Sequence, residues 1–113
     1  YFTQARLNRE NARDEALDIL RDLMNDVKAS EETQQQALSE AAAIAEAVEQ
    51  ESKIESLVKA KGFSDCVAYI ADDACNIVVR SDGMTPQEAL QITEIVTAQS
   101  NVVAQNVKIV TVN

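Results

Sequence analysis

The chain has 113 residues and a net charge of −9, from ten basic and nineteen acidic side chains. That length holds one domain. The charge argues against a protein that neutralises nucleic-acid phosphates or settles on an anionic membrane surface. With no histidine, Ser–His–Asp and Cys–His catalysis are excluded, and two cysteines are too few for a disulfide framework. Apolar residues make up 46%, many of them alanine, and the only aromatics are Tyr1, Phe2, Phe63 and Tyr69. The core is therefore expected to be aliphatic and thin, with some burial supplied by partners. No stretch is long enough to span a bilayer. The chain starts at Tyr1 without a signal peptide, as expected of a fragment or processed product whose membrane anchor would lie upstream.

A first helix is predicted from Phe2 to Val27. Its second half carries an apolar stripe, Ala16, Leu20, Leu23 and Val27. Its first half offers only Leu7 and Ala12 between Arg6 and Glu15, so that end is expected to project, fray or lie against another molecule. Glu10, Asp14, Asp18, Asp22 and Asp26 recur every fourth residue. Each step turns about 40° around the axis, so they form a winding, solvated ridge, with docking to a basic partner as its functional alternative. Lys28–Ser30 breaks the pattern, and residues 1–30 are assigned to this charged helix and its connection.

Ser30 is a good N-cap, followed by Glu31 and Glu32 where the helix dipole favours acids. The second helix is predicted to run to Lys61, with Leu38, Ala41, Ile44, Ala45, Val48, Ile54, Leu57 and Val58 as its apolar positions and Gly62 in the left-handed position after it. Strands are predicted at Cys66–Ala71 and Cys75–Arg80, joined by a turn at Asp72-Asp73. Thr85-Pro86-Gln87-Glu88 reads as a capping box with proline at the first helical position. It opens a third helix that ends near Gln99, with Ala89, Ile92, Ile95 and Val96 on one side. A last strand is predicted at Val107–Val112. Residues 31–113 are thus an α-β-β-α-β domain, and the fold class is α+β: a long N-terminal helix, then a three-stranded sheet covered by helices on one face.

A two-residue turn at Asp72-Asp73 pairs Ala71 with Ala74, which sets Cys66 opposite Val79 and Cys75 opposite Ile70. The cysteines then sit about 13 Å apart along the ladder, beyond disulfide reach, and are expected to be reduced and packed as small apolar groups. The same register sorts the faces. One carries Cys66, Ala68, Ile70, Cys75, Ile77 and Val79, extended by Val107 and Ile109, and should lie under the helices. The other carries Val67, Tyr69, Asn76, Val78, Arg80, Lys108, Val110 and Val112. It is too apolar for plain solvent exposure: a partner covers it, the first helix folds back over part of it, or the exposure is tolerated. The first reading makes Val67, Tyr69, Val78, Arg80, Lys108, Val110 and Val112 candidate interface residues. A right-handed crossover favours the last strand parallel to the second, with the first strand between them. The second and last strands would then be edges, guarded only by Arg80 and Lys108.

No constellation points to catalysis, a cofactor or a metal. Asp72 and Asp73 suit a turn better than an acid–base pair, and no EF-hand spacing occurs. The element order also occurs in KH-type RNA-binding folds, but those need a Gly-x-x-Gly loop, and Gly62 and Gly83 form none.

Glu55-Ser56-Leu57-Val58-Lys59-Ala60-Lys61-Gly62-Phe63-Ser64-Asp65 resembles the signature segment of the stage III sporulation protein AH family. Cys66–Ile70 and Ile77–Val79 resemble its hairpin, Thr85–Val96 its second motif helix, and Val107–Val112 its last strand. The resemblance implies a ring-building motif related to type III secretion and flagellar basal-body ring proteins. It also implies anchoring by one upstream transmembrane helix in the mother-cell membrane around the forespore, and placement of this segment in the intermembrane space. The implied role is a non-enzymatic channel subunit that binds the stage II sporulation protein Q ectodomain, other copies of itself in a ring, and other stage III A operon proteins, with no nucleic acid. Cys66 and Cys75 match no motif of the family. The alternative is a helical-hairpin adaptor that binds through its long helices and forms no ring.

Overall fold

The computed structural model describes residues 1–113. In chain order it contains α1 (Phe2–Asn25), α2 (Glu31–Ala60), β1 (Cys66–Ala71), β2 (Ala74–Arg80), α3 (Pro86–Gln99), a 3₁₀ turn (Ala104–Asn106) and β3 (Val107–Val112). Two compact units form: one from Tyr1 and Thr3–Glu46, the other from Phe2 and Ala47–Asn113.

In the first unit the link between helices is built from side chain-to-backbone bonds. Asp26 Oδ1 accepts from the Lys28 N–H, and the Gln34 amide donates to the Asp26 carbonyl at 2.8 Å. Ser30 Oγ accepts from the Thr33 N–H, the N-cap bond that the sequence predicts. Leu20 and Ala37 are the buried apolar residues here, whereas Val27 is almost fully exposed. Val27 lies beyond the end of α1, so it drops off the stripe that carries Leu20.

In the second unit β1 and β2 pair antiparallel in the register set by the Asp72-Asp73 turn, Cys66 opposite Val79 and Ala71 opposite Ala74. Both aspartates adopt positive φ, 52° and 63°. That is the backbone of a type I′ hairpin turn, whose twist matches the strands. The Asn106 amide donates to the Asp73 carbonyl at 3.2 Å. The capping box of α3 closes both ways, Glu88 N–H to Thr85 Oγ1 at 3.1 Å and Thr85 N–H to Glu88 Oε1 at 3.0 Å.

The strand order is β1-β2-β3, with β3 parallel to β2. The parallel sense agrees with expectation; the placement of the first strand in the centre does not. Two physical causes favour the observed order. A single 14-residue helix connects β2 to β3, which suffices to lay β3 directly beside β2. The side of β1 that points away from β2 is already occupied: the Cys66 N–H donates to Asp65 Oδ1 at 2.9 Å, the Ala68 N–H to Glu55 Oε2 at 2.8 Å and the Ile70 N–H to Glu51 Oε2 at 2.7 Å. β1 and β3 are therefore the edges. Arg80 lies in the central strand and guards neither.

The core lies on the expected face. Ile54 and Val58 from α2, Cys66, Ala68, Cys75, Ile77 and Val79 from the sheet, and Ile92 and Val96 from α3 are fully buried. Phe63, Ile70, Met84, Ile95, Val107 and Ile109 pack around them. Each large aliphatic buried here contributes about 1.5–3 kcal/mol. Along α2 the inward positions of this unit are Ala47, Glu51, Ile54 and Val58, while Val48 and Leu57 are exposed. The helix is oriented by Ile54 and Val58 against the sheet. Residues three and four apart share that side, so Ala47 and Glu51 follow them inward.

Both cysteines are free and buried, as the register predicts. Burial pushes the Cys75 thiol up to about 11, with the Glu51 charge adding to the shift, a backbone hydrogen bond with Tyr69 offsetting part of it, and Glu55 adding a little. The folded-state value exceeds the unfolded one of 9.0. The native state therefore holds this proton where the unfolded state releases it, and stability is full below pH 9 and declines as pH rises towards 11. In urea titrations the stability advantage of the parent over Cys75→Ala should shrink by about 2 kcal/mol between pH 8.5 and 11; a constant difference would contradict the assignment. In the turn, Asp73→Gly should raise stability by about 0.5–1 kcal/mol, because glycine adopts positive φ without a Cβ penalty, as read from the urea midpoint.

Candidate interaction surface

The second sheet face is assembled by the two strand registers. Val67, Val78 and Val110 form one row across the sheet, Tyr69, Asn76 and Lys108 a second, and Arg80 pairs with Val112 in a third. The sequence reading brings these residues together correctly, but their exposure is uneven. Val67 is 6% exposed, so it presents almost nothing to a partner. Val78 and Val112 are half-buried, and Asn76, Arg80 and Lys108 are exposed. Tyr69 and Val110 are the open apolar residues, at 38% and 41%.

Part of the cover comes from the chain's own start. Phe2 is 3% exposed and belongs to the unit that contains the sheet. The Arg80 guanidinium lies 5.0 Å from the centroid of its ring, within cation–π range. The Phe2 ring thus lies at the Arg80 end of the face, while Tyr69, Lys108 and Val110 remain open.

The open part has a distinct chemistry. Arg80 and Lys108 are the only cations after Lys61 in a chain of net charge −9, and both project from this face. No carboxylate lies in its rows on β2 or β3. The surface therefore combines a tyrosine, valines and two cations, and suits a counter-surface with apolar and acidic groups. Elsewhere, no three cysteine or carboxylate groups converge in a way that would hold a metal ion, and no helix is long and apolar enough to cross a membrane.

A small α+β domain with one sheet face under helices and the other partly open is built as a protein-interaction module. The chain belongs to the SpoIIIAH-like protein family, whose model matches residues 1–109. A solved structure described as the SpoIIQ–SpoIIIAH pore forming complex contains a chain with 25% sequence identity and a TM-score of 0.88, covering 97% of this chain and 95% of the other. The enteropathogenic E. coli type III secretion system protein EscJ matches over 65% of this chain and 50% of its own, with 18% identity and a TM-score of 0.56. The second likeness shows a shared fold. No curated protein sequence matches significantly.

Phe2→Ala should lower stability by about 3–5 kcal/mol, as expected for emptying a buried aromatic site. Arg80→Gln, which removes only the cation, should cost under about 1 kcal/mol. Urea denaturation of the two variants side by side separates packing from charge, and equal losses would contradict this division.

Proposed function

We propose that the chain is a non-enzymatic subunit of a channel between mother cell and forespore, acting in the space between their membranes. Its open sheet face docks on the ectodomain of a SpoIIQ-type partner, and further copies assemble beside it in a ring. The observation that carries this reading is the structural match over nearly the full length of both chains to a protein described in a pore-forming complex with SpoIIQ. The type III secretion relative supports the ring, through the fold alone. The composition of the face adds physical support: Tyr69, Val78, Val110 and Val112 supply apolar area, and Arg80 and Lys108 supply charge that a complementary acidic surface steers towards. Val67 flanks Val78 on the same face as its cross-strand neighbour and supports it from the side.

The test is a binding titration with a SpoIIQ ectodomain. Tyr69→Glu combined with Val110→Glu places two charges on the open face without entering the core, so circular dichroism and thermal unfolding should stay close to the parent. Affinity should fall by at least about tenfold, the usual consequence of losing central contacts. Parental affinity in the double variant would remove this face from the contact.

A further inference from the structure

β1 is an edge strand whose sequence carries no guard. Its six residues, Cys-Val-Ala-Tyr-Ile-Ala, include no charge and no proline. Short uncharged segments rich in β-formers are the ones that recruit other strands, and natural edges are normally blunted by lysine, proline or a bulge. Two identical β1 strands would be self-complementary about a two-fold axis. Nothing within the strand prevents that pairing.

The block comes from the preceding helix. In β1 the amides of Cys66, Ala68 and Ile70 point away from β2, and each has an oxygen acceptor within 2.9 Å. For Ala68 and Ile70 the acceptors are Glu55 and Glu51, four residues apart on α2. Four helical residues rise about 6 Å, and two strand residues span about 6.7 Å, so two carboxylates on consecutive turns meet two consecutive outward amides. The chain directions are opposed, Glu55 to Ala68 and Glu51 to Ile70, so the two pairs lie side by side. Glu51 is 1% exposed, the one charged residue in the buried set. Burying a carboxylate is costly unless strong hydrogen bonds compensate, which makes its position against Ile70 a specific arrangement rather than a solvated helix surface. The thiol of Cys66 adds a weaker contact to the Glu55 carbonyl, at 3.6 Å.

We propose that Glu51 and Glu55 are a built-in plug of the β1 edge, which prevents sheet-to-sheet pairing of this chain with a second copy through β1. The plug leaves β3 as the edge whose outer backbone is not occupied by α2, and so gives the sheet one closed side and one open side. This inference stands on hydrogen-bond geometry and does not depend on the function proposed above.

The test compares two double variants by sedimentation velocity and amide hydrogen exchange. Glu51→Gln with Glu55→Gln keeps an acceptor oxygen at both positions and should remain monomeric. Glu51→Ala with Glu55→Ala removes both acceptors and should associate as concentration rises, with the Ala68 and Ile70 amides protected in the associated species. A folded alanine variant that stays monomeric, or one that associates with those two amides unprotected, would overturn the proposal. Exchange in the unaltered monomer covers the case in which the alanine variant does not fold. There Ala68 and Ile70 should exchange at least about a hundredfold more slowly than unprotected amides, although both lie on an edge, and free exchange at these positions would overturn the plug.

Discussion

The outward amides of β1 donate to carboxylates on α2, and much of the second unit follows from that one set of bonds. They hold β1 at the side of the sheet, which leaves the central place to β2. They also fix the rotation of α2 about its axis, because Glu51 and Glu55 must reach the strand while Ile54 and Val58 reach the sheet. With α2 so placed, its apolar positions seal the layer of Cys66, Ala68, Cys75, Ile77 and Val79 together with Ile92 and Val96 of α3. The apolar contacts of Ile54 and Val58 and the two carboxylate bonds thus select the same side of the helix, and leaving those buried bonds unmade would be expensive.

The opposite face follows by subtraction. Alternation along a strand sends Val67, Tyr69, Val78, Arg80, Lys108, Val110 and Val112 away from the helices. The Phe2 ring lies against Arg80 at one end, and Tyr69 and Val110 remain open. The remaining surface is small, partly apolar and cationic within a strongly acidic chain. That combination is complementary to a counter-surface with apolar and acidic groups. A chain repelled by its own net charge gains little from indiscriminate association.

Much of this was legible in the residues. Period-two alternation and the Asp72-Asp73 turn determine the strands, their register and the two faces, and the Thr85–Glu88 box determines the start of α3. These signals are local, so no tertiary information is needed to read them. The strand order is not local: it depends on which edge of β1 a distant helix occupies. Glu51 and Glu55 were hidden for a related reason. A glutamate on a helix reads as solvent-facing by hydropathy, although Glu51 lies four residues after Ala47 and three before Ile54, on the buried side. The exposure of Val48 and Leu57 and the burial of Ala47 belong to the same effect, since hydrogen bonding and the sheet contact, not side-chain size, set the helix rotation. Phe2 resembles a terminal residue with nothing to pack on until the sheet face is in place.

The open sheet face is the surface proposed to meet another protein. Its most direct test is a methyl and aromatic NMR titration of the chain with a SpoIIQ ectodomain. If the open face makes the contact, resonances of Tyr69, Val78, Val110 and Val112 shift or broaden together, while core methyls of Ile54 and Ile92 stay in place. Perturbations confined to the exposed side chains of α1, such as Leu7 and Ile19, with the sheet face unchanged, would contradict it.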